Sequence, residues 1–460
     1  MGTKWTNTLA APCSPAYIFD VDAFTHRCRR IKEALGDIPL TYSIKANPFL
    51  LNCIPKEIAH VEVCSPGELS ICMAMHTPPE SIIYSGVMKE SHDIEQAVSY
   101  GAGILTAESI RHVELENQAV LKLGRAKKRV LLRLTSGNQF GMSAEDIKTI
   151  IANQNQYAGL EFYGIHHYSG TQKSLRQIKK DLQRLDKLLQ DLKEEYDFES
   201  KLTEYGPGPG VSYFEAPYEE KDMQKLQEMA PELLAFAEKY PLGIEMGRFL
   251  AAPCGHYLTQ IKDSKENNDT NYLICDGGIH HLKYHGQTLA MQVPPIRVCR
   301  QTDGRLPADK CLSADGCLPA DLLPEQYSSA RTEASSEQAS VPYMICGSLC
   351  TVADVLVREV FLPPVKTGDY LLFGRCGAYS VTEGAALFLS RTMPQIYLYQ
   401  KEKGYLLIRD FIGSAALNMA ASDTANPSVA ASHAANPNVA ASGAAASDIA
   451  DSGMEEVTVL

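Results

Sequence analysis

From about residue 39 to 250, short β-like runs rich in apolar residues alternate with longer stretches of helical periodicity. Eight runs stand out: LTYSIKA at 40–46, VEVC at 61–64, SIIYSG at 81–86, GILTA at 103–107, RVLLRL at 129–134, FYGIHHYSG at 162–170, LTEYG at 202–206 and LGIEMG at 242–247. The clearest helix lies between the sixth and the seventh. Ile178, Leu182, Leu185, Leu189 and Leu192 recur there at steps of four and three, with Lys179, Lys180, Asp186 and Lys187 between them, which collects the apolar side chains on one face. A stripe this short faces a core more often than it builds a coiled coil. Eight β units separated by helices predict an α/β fold, a (β/α)8 TIM barrel over residues 31–255.

After residue 256 the pattern changes. HYLTQI, NYLICDG, MQVPP, YMICG, DYLLFG and QIYLYQ are short β-rich runs with turn residues between them, which predicts a C-terminal antiparallel, barrel-like β domain over 256–412. The early run PAYIFD is expected to join it, as a strand within residues 1–30, because the barrel starts only near residue 39. Two segments carry neither period. Residues 301–340 repeat LPAD and SADG and are poor in β-branched residues, which suggests a mobile insertion. Residues 413–460 repeat an ANPxVAAS unit; residues so small cannot bury enough apolar area to offset ordering, so the tail is expected to be disordered. A partner-docking motif is the alternative for each segment.

Composition narrows the function. The 460 residues carry 43 Lys and Arg against 55 Asp and Glu, a formal charge of −12, where a nucleic-acid protein would show a basic face. No apolar run reaches the roughly 18 residues of a membrane span, and the N-terminus lacks the apolar core of a secretory signal. The 13 cysteines show no paired CxxC spacing and are expected as thiols in a reducing cytosol. Cys64, Cys275 and Cys346 sit in strand-like runs, which suggests core packing.

Reactive groups of such barrels come from the carboxyl ends of the strands. Those ends hold Lys45, Cys64–Ser65, Ser85–Gly86, Ala107–Glu108, Arg133, Tyr168, Gly206 and Glu245. Lys45 ends the run Leu40–Ile44 and precedes Ala46-Asn47-Pro48. Desolvation and cationic neighbours would lower its pKa and make it a Schiff-base nucleophile; a lysine reaching from the rim to water is the bland reading. Gly206-Pro207-Gly208-Pro209-Gly210 follows the seventh run and Glu245-Met246-Gly247-Arg248 ends the eighth. Those loops bind phosphate in many barrels, through backbone N–H groups and a cation, although two tight turns would look the same. A lysine, a phosphate site and a carboxylate together describe a pocket for pyridoxal 5'-phosphate: Lys45 holds the aldehyde as an imine, the glycines and Arg248 hold the phosphate, and Glu245 keeps the pyridine nitrogen protonated.

These residues resemble the fold type III pyridoxal-phosphate decarboxylases, the clan of diaminopimelate and ornithine decarboxylases, over roughly residues 12–300 and 341–412. YSIKANP is similar to the family's lysine motif, VCSPGEL and IIYSGVMKE to further barrel segments, EYGPGPG to its glycine loop and EMGR to its EPGR. CDGGIHHL resembles the opening of its second-domain block, Cys346-Gly347-Ser348-Leu349-Cys350 with Thr351 and Asp354 its GPxCxxxD, and Cys376-Gly377-Ala378-Tyr379 its GAY motif. The resemblance implies cofactor contacts from Lys45, Tyr168, Thr171, Gly206, Gly208, Glu245, Gly247, Arg248 and Tyr379. It further implies a head-to-tail homodimer with shared sites, in which Cys350 of one subunit protonates the carbanion formed at the other's Lys45. Asp354 is a substrate candidate or a helix cap.

Three departures matter. Where the family has HFHIGSQ, this chain reads His166-His167-Tyr168-Ser169-Gly170-Thr171-Gln172, so Tyr168 takes the place of the stacking histidine. Met246 replaces a proline. The arginine with which diaminopimelate decarboxylases grip a distal carboxylate is missing from residues 279–287, which points to relatives in specialised metabolism that act on an amino-acid group in a larger or carrier-linked molecule. His280 and His281 would contact such a substrate, or are plain turn residues. No metal is implied. The alternatives are diaminopimelate decarboxylase proper, a racemase on the same scaffold, for which Cys350 is the wrong acid, and a non-enzymatic cofactor carrier of single-barrel type, which would lack the second domain.

Overall fold

The computed structural model describes residues 12–300 and 340–419. The insertion up to residue 339 and the tail from residue 420 lie outside the described residues.

Strand β1 (Ala16–Asp20) leads straight into helix α1 (Val21–Leu35), where the Asp20 carboxylate caps the helix by accepting the Ala23 N–H. The barrel follows: β2 (Leu40–Ser43), β3 (Ile58–Val63), α2 (Pro66–Ala74), β4 (Ile82–Tyr84), α3 (Ser91–Tyr100), β5 (Ile104–Ala107), α4 (Ile110–Lys122), β6 (Lys128–Arg133), α5 (Ala144–Ala152), β7 (Leu160–Tyr168), α6 (Leu175–Tyr196), β8 (Leu202–Gly206), α7 (Tyr218–Ala237), β9 (Leu242–Met246) and the short α8 (Arg248–Ala251). Strands β2 to β9 are parallel neighbours in sequence order, and β9 closes on β2. All eight apolar runs are barrel strands. The stripe of Ile178, Leu182, Leu185, Leu189 and Leu192 is buried along α6. The expected boundary at residue 30/31 falls inside α1. Arg27 of that helix reaches the carboxylates of Glu219 and Asp222 on α7 and the carbonyl of Phe249 on α8, so the barrel's helical shell begins at Val21.

The second domain comprises β10 (Gly255–Asn267), β11 (Thr270–Cys275), β12 (Ile296–Cys299), β13 (Val341–Cys346), β14 (Val355–Leu362), β15 (Tyr370–Phe373), β16 (Gln395–Gln400) and β17 (Gly404–Arg409). The sheet runs β14-β13-β11-β10-β1-β16-β17, with β15 also on β10 and β12 on β15. The N-terminal strand therefore lies inside the C-terminal sheet, antiparallel to β10 and parallel to β16. A second parallel pair, β11 with β13, makes the sheet mixed rather than purely antiparallel. MQVPP forms no strand. Pro294 and Pro295 have no N–H to give a ladder, and pairing starts one residue later, at Ile296. Strands β14 and β17 went unrecognised: charged Arg358 and Glu359 interrupt the first, and the second is an edge strand. The fold continues past residue 412, where Ser414 donates to the Arg391 carbonyl and Asn418 to that of Leu387.

Loop 374–380 of the β domain docks on the barrel mouth. Tyr379 N–H donates to the Ala46 carbonyl (2.7 Å), and the Asn47 amide donates to that of Gly377 (2.8 Å). Arg375 pairs with Asp222, which is fully buried and also receives Arg27 and the Ser212 N–H. One carboxylate thus answers two buried guanidinium groups from different domains. Among the described residues no helix is long and apolar enough to cross a membrane.

Removing the Asp222 carboxylate strips the buried Arg375 guanidinium of the carboxylate it pairs with and leaves Arg27 with Glu219 alone. Asp222→Ala is expected to destabilise the protein by about 3–5 kcal/mol. Arg30→Ala, which breaks a half-exposed pair with Glu219, is expected to cost under about 1 kcal/mol. Denaturant midpoints of the two variants check the contrast, and equal shifts would contradict the role given to Asp222.

Candidate active site

Strand β2 ends in one 3-10 turn, Ile44–Ala46, which turns Lys45 toward the barrel mouth. Its Nζ lies 2.7 Å from Glu62 Oε2, 3.3 Å from Cys64 Sγ and 3.7 Å from Glu245 Oε1. Burial alone would lower the lysine's pKa. Glu62, Cys64 and Glu245 outweigh it, and the ammonium is held well above the ordinary lysine range. This reverses the expectation of a depressed amine, because the neighbours are carboxylates rather than cations. Sequence reasoning missed Glu62. The signal was its place in a buried strand, since an unpaired carboxylate between Val61 and Val63 is costly. Cys64, expected as core packing, is part of the same cluster.

Glu245, near the end of β9, is buried. Its Oε1 accepts the Ser43 hydroxyl (2.8 Å) and its Oε2 lies 3.1 Å from His166 Nε2. Burial would raise its pKa, but Lys45, His166 and Ser43 hold it well below the usual carboxylate range. Glu204 on β8 is the contrasting case. It is buried with no cation beside it, and burial pushes its pKa to about 8, with Glu245 and Glu62 adding to the rise and the Thr41 hydroxyl opposing it. The barrel interior thus sets the paired carboxylates Glu62 and Glu245 against Glu204, whose pKa burial raises.

Tyr168 ends β7 with its ring centroid 5.8 Å from Lys45 Nζ. Gly206 makes room for that ring, since a Cβ there would press on it. Gly208 adopts φ +52°, and a Cβ would run into the Gly170 carbonyl; only glycine lets the loops at 170 and 208 approach so closely. They are tied by Lys173 N–H donating to the Gly208 carbonyl (2.9 Å). Opposite, the Arg248 guanidinium lies 4.4 Å from the Tyr379 ring centroid and donates to the Tyr213 hydroxyl (3.1 Å), while its buried Nε has no partner.

These groups line one open cleft. Lys45, Tyr168, Thr171, Gly208, Glu245, Gly247, Arg248 and Tyr379 all line it, with Ser43, Pro209, Met246 and Phe249. The lining fits pyridoxal phosphate: an amine at one end, a carboxylate in the wall, an aromatic ring beside both, and glycine backbone with an unspent guanidinium N–H at the other end.

The remaining candidates lie elsewhere. Gly206 stands behind Tyr168 rather than in the lining. Cys350 is exposed on the turn after β13, away from the cleft of its own chain. Asp354 is buried, and its two oxygens accept the N–H groups of Ile279 and Leu349, so it braces two loops. The ring nitrogens of His281 are taken by the Tyr257 hydroxyl (3.0 Å) and the Thr392 carbonyl (2.9 Å), and burial pushes its pKa down to about 3. His280 is buried beside it with neither nitrogen partnered, and burial lowers its pKa to about 4. Among the described residues no group of three His, Cys, Asp or Glu side chains is placed to hold a metal ion.

Residues 21–252 match the family described as "Pyridoxal-dependent decarboxylase, pyridoxal binding domain". The chain is 26% identical, over 86% of its length and 91% of the relative's, to an L-glutamyl-(BtrI acyl-carrier protein) decarboxylase of Niallia circulans. It is 25% identical to a 2-((L-alanin-3-ylcarbamoyl)methyl)-2-hydroxybutanedioate decarboxylase of Staphylococcus aureus, over 84% of this chain and 94% of that one. Its fold matches the crystal structure of diaminopimelate decarboxylase from M. jannaschii in complex with L-lysine, with a TM-score of 0.72 at 21% identity, covering 89% and 93% of the two chains.

Glu204 gives the site a measurable pH signature. Its folded pKa of about 8 lies above the ordinary value of 4.5, so the folded state holds a proton that the unfolded chain has lost between those values, and stability falls as pH rises through that window. Glu204→Gln removes the loss. The thermal midpoint of the variant is expected to gain on that of the parent from about pH 5 to pH 8; parallel pH profiles would show Glu204 to be ionised in the fold.

Proposed function

We propose that this chain, which belongs to the pyridoxal-dependent decarboxylases, removes the α-carboxylate of an amino acid presented free or as part of a larger, carrier-linked molecule. The observation that carries the reading is the single cleft that joins Lys45 and Glu245 to Gly208 and Arg248. Lys45 is the amine that would hold the cofactor's aldehyde, and Glu62, 2.7 Å from Nζ, is placed to take the proton that the ammonium must lose first. Glu245, fixed by Ser43 and His166, holds a proton on the pyridine nitrogen. The glycine loops, Arg248 and Tyr379 would hold the phosphate, Thr171 stands in the same wall, and Tyr168 would face the ring in place of a histidine. When bound, pyridoxal phosphate supplies the electron sink for the pair left on the α-carbon as CO₂ departs.

Cys350, exposed and outside the cleft of its own chain, returns a proton to that carbon in the site of a second copy, which makes the active unit a homodimer. A racemase would need a base there instead, so the thiol favours decarboxylation. The turn 279–287 contains no arginine, and Tyr284 within it spends its hydroxyl on the Gly374 carbonyl (2.6 Å). This favours a substrate without the distal carboxylate of diaminopimelate, in line with the carrier-protein substrate named for the Niallia relative. The eleven described cysteines form no disulfide, which agrees with a cytosolic site of action.

The purified protein is expected to be yellow, and borohydride is expected to fix the label on Lys45; a colourless protein, or a label on another lysine, would overturn the assignment. Cys350→Ala is expected to keep the colour and lower CO₂ release by about 100-fold or more, and full CO₂ release by that variant would remove Cys350 from the reaction.

A further inference from the structure

Cys64 has no part in the function proposed above, yet it stands beside the amine on which that function rests. Its Sγ lies 3.3 Å from Lys45 Nζ and 2.9 Å from Glu62 Oε1, while the other oxygen of the same carboxylate lies 2.7 Å from Nζ. Thiol, amine and one bridging carboxylate therefore close a triangle. The thiol is fixed there from behind, because Glu68 accepts the Cys64 N–H (2.6 Å) and the Ser65 hydroxyl caps α2 by accepting the Glu68 N–H (3.1 Å). The separation of sulfur and nitrogen is that of atoms poised to react.

We propose that Cys64 and Lys45 form a reversible oxidative cross-link, a sulfenamide, with a peroxide as oxidant and Glu62 as the proton carrier between them. Sulfur oxidised to the sulfenic level condenses with nitrogen nucleophiles, and Lys45 supplies the nitrogen. In the first step the thiol proton passes to Glu62 Oε1 as sulfur attacks one peroxide oxygen. The S–O bond forms and the O–O bond breaks; the leaving hydroxide takes the proton from Glu62 and departs as water. Sulfur has lost two electrons and the peroxide has gained them. In the second step the Lys45 ammonium gives a proton to Glu62 Oε2, and the freed nitrogen attacks sulfur. The S–N bond forms, the S–O bond breaks, the hydroxide leaves as water with the Glu62 proton, and one further nitrogen proton goes to solvent. A thiol reductant cleaves the S–N bond and restores both side chains.

The cross-link consumes the lysine amine that lines the cleft, so the oxidised chain is switched off and protected from loading. This consequence rests on the cofactor reading; the cross-link itself does not.

The test is peptide mapping of the full-length, cofactor-stripped chain after brief treatment with hydrogen peroxide. The expected product joins the Lys45 and Cys64 peptides, two hydrogens lighter than their sum. It disappears on adding dithiothreitol, is absent from Cys64→Ser, and is reduced in Glu62→Gln. Sulfinic acid at Cys64 with Lys45 untouched, a disulfide to another cysteine, or an unmodified pair would each overturn the proposal. The same samples are then offered pyridoxal phosphate. The cross-linked chain should stay colourless and turn yellow after reduction; a chain mapped as cross-linked at Lys45 that colours at once would overturn the claim that the link blocks loading. An untreated chain that never colours counts against the cofactor reading alone and leaves the peptide map standing.

Discussion

A cation at the half-buried mouth of a barrel is best answered by opposite charge within a few ångströms, and for Lys45 the answer comes from Glu62 on one neighbouring strand and Glu245 on the other. The other polar contacts of the mouth follow from that requirement. Ser43 and His166 are placed to hold Glu245, and two glycine-opened loops leave room around the amine. Glu204, deeper in the same interior, has no cation beside it, and burial pushes its pKa up to about 8.

The second constraint is that the site draws on both domains. Tyr379 reaches the cleft only because its loop is stitched to residues 46 and 47, and Asp222 holds that docking in place by serving a guanidinium from each side. Arg248 then lies between the Tyr379 ring and the Tyr213 hydroxyl. Loosening the domains would misplace the anion-binding end of the cleft before it touched the amine.

Much of this was legible in the residues. Parallel barrel strands are buried on both faces and read as apolar runs, which is why all eight were found. The carboxyl-end rule then picked out Lys45, Tyr168 and Glu245 by position alone, and the loop after the eighth run added Arg248. Strands β14 and β17 were harder, because half-exposed strands mix charge with apolar residues and their pairing is decided by distant partners. Glu62 was passed over because only the last residues of each run were weighed, and one more inward-facing position would have included it. Cys64 stands at a strand end, but nothing in sequence separates a packed thiol from one in contact with an ammonium. The buried bracing by Asp354 and His281 was invisible for the same reason: a polar residue in a loop motif looks alike whether it meets a ligand or a backbone amide.

The strand nearest the N-terminus sits inside a sheet whose other members arrive some 240 to 380 residues later. During synthesis the barrel can close long before β16 leaves the ribosome, while β1 waits with both edges unsatisfied. The second domain is therefore an unusually non-local structure, and its assembly is paced by loop closure over nearly the whole chain. Until then an exposed apolar edge is on offer to other nascent chains, so this short segment is where a chaperone would have most to protect.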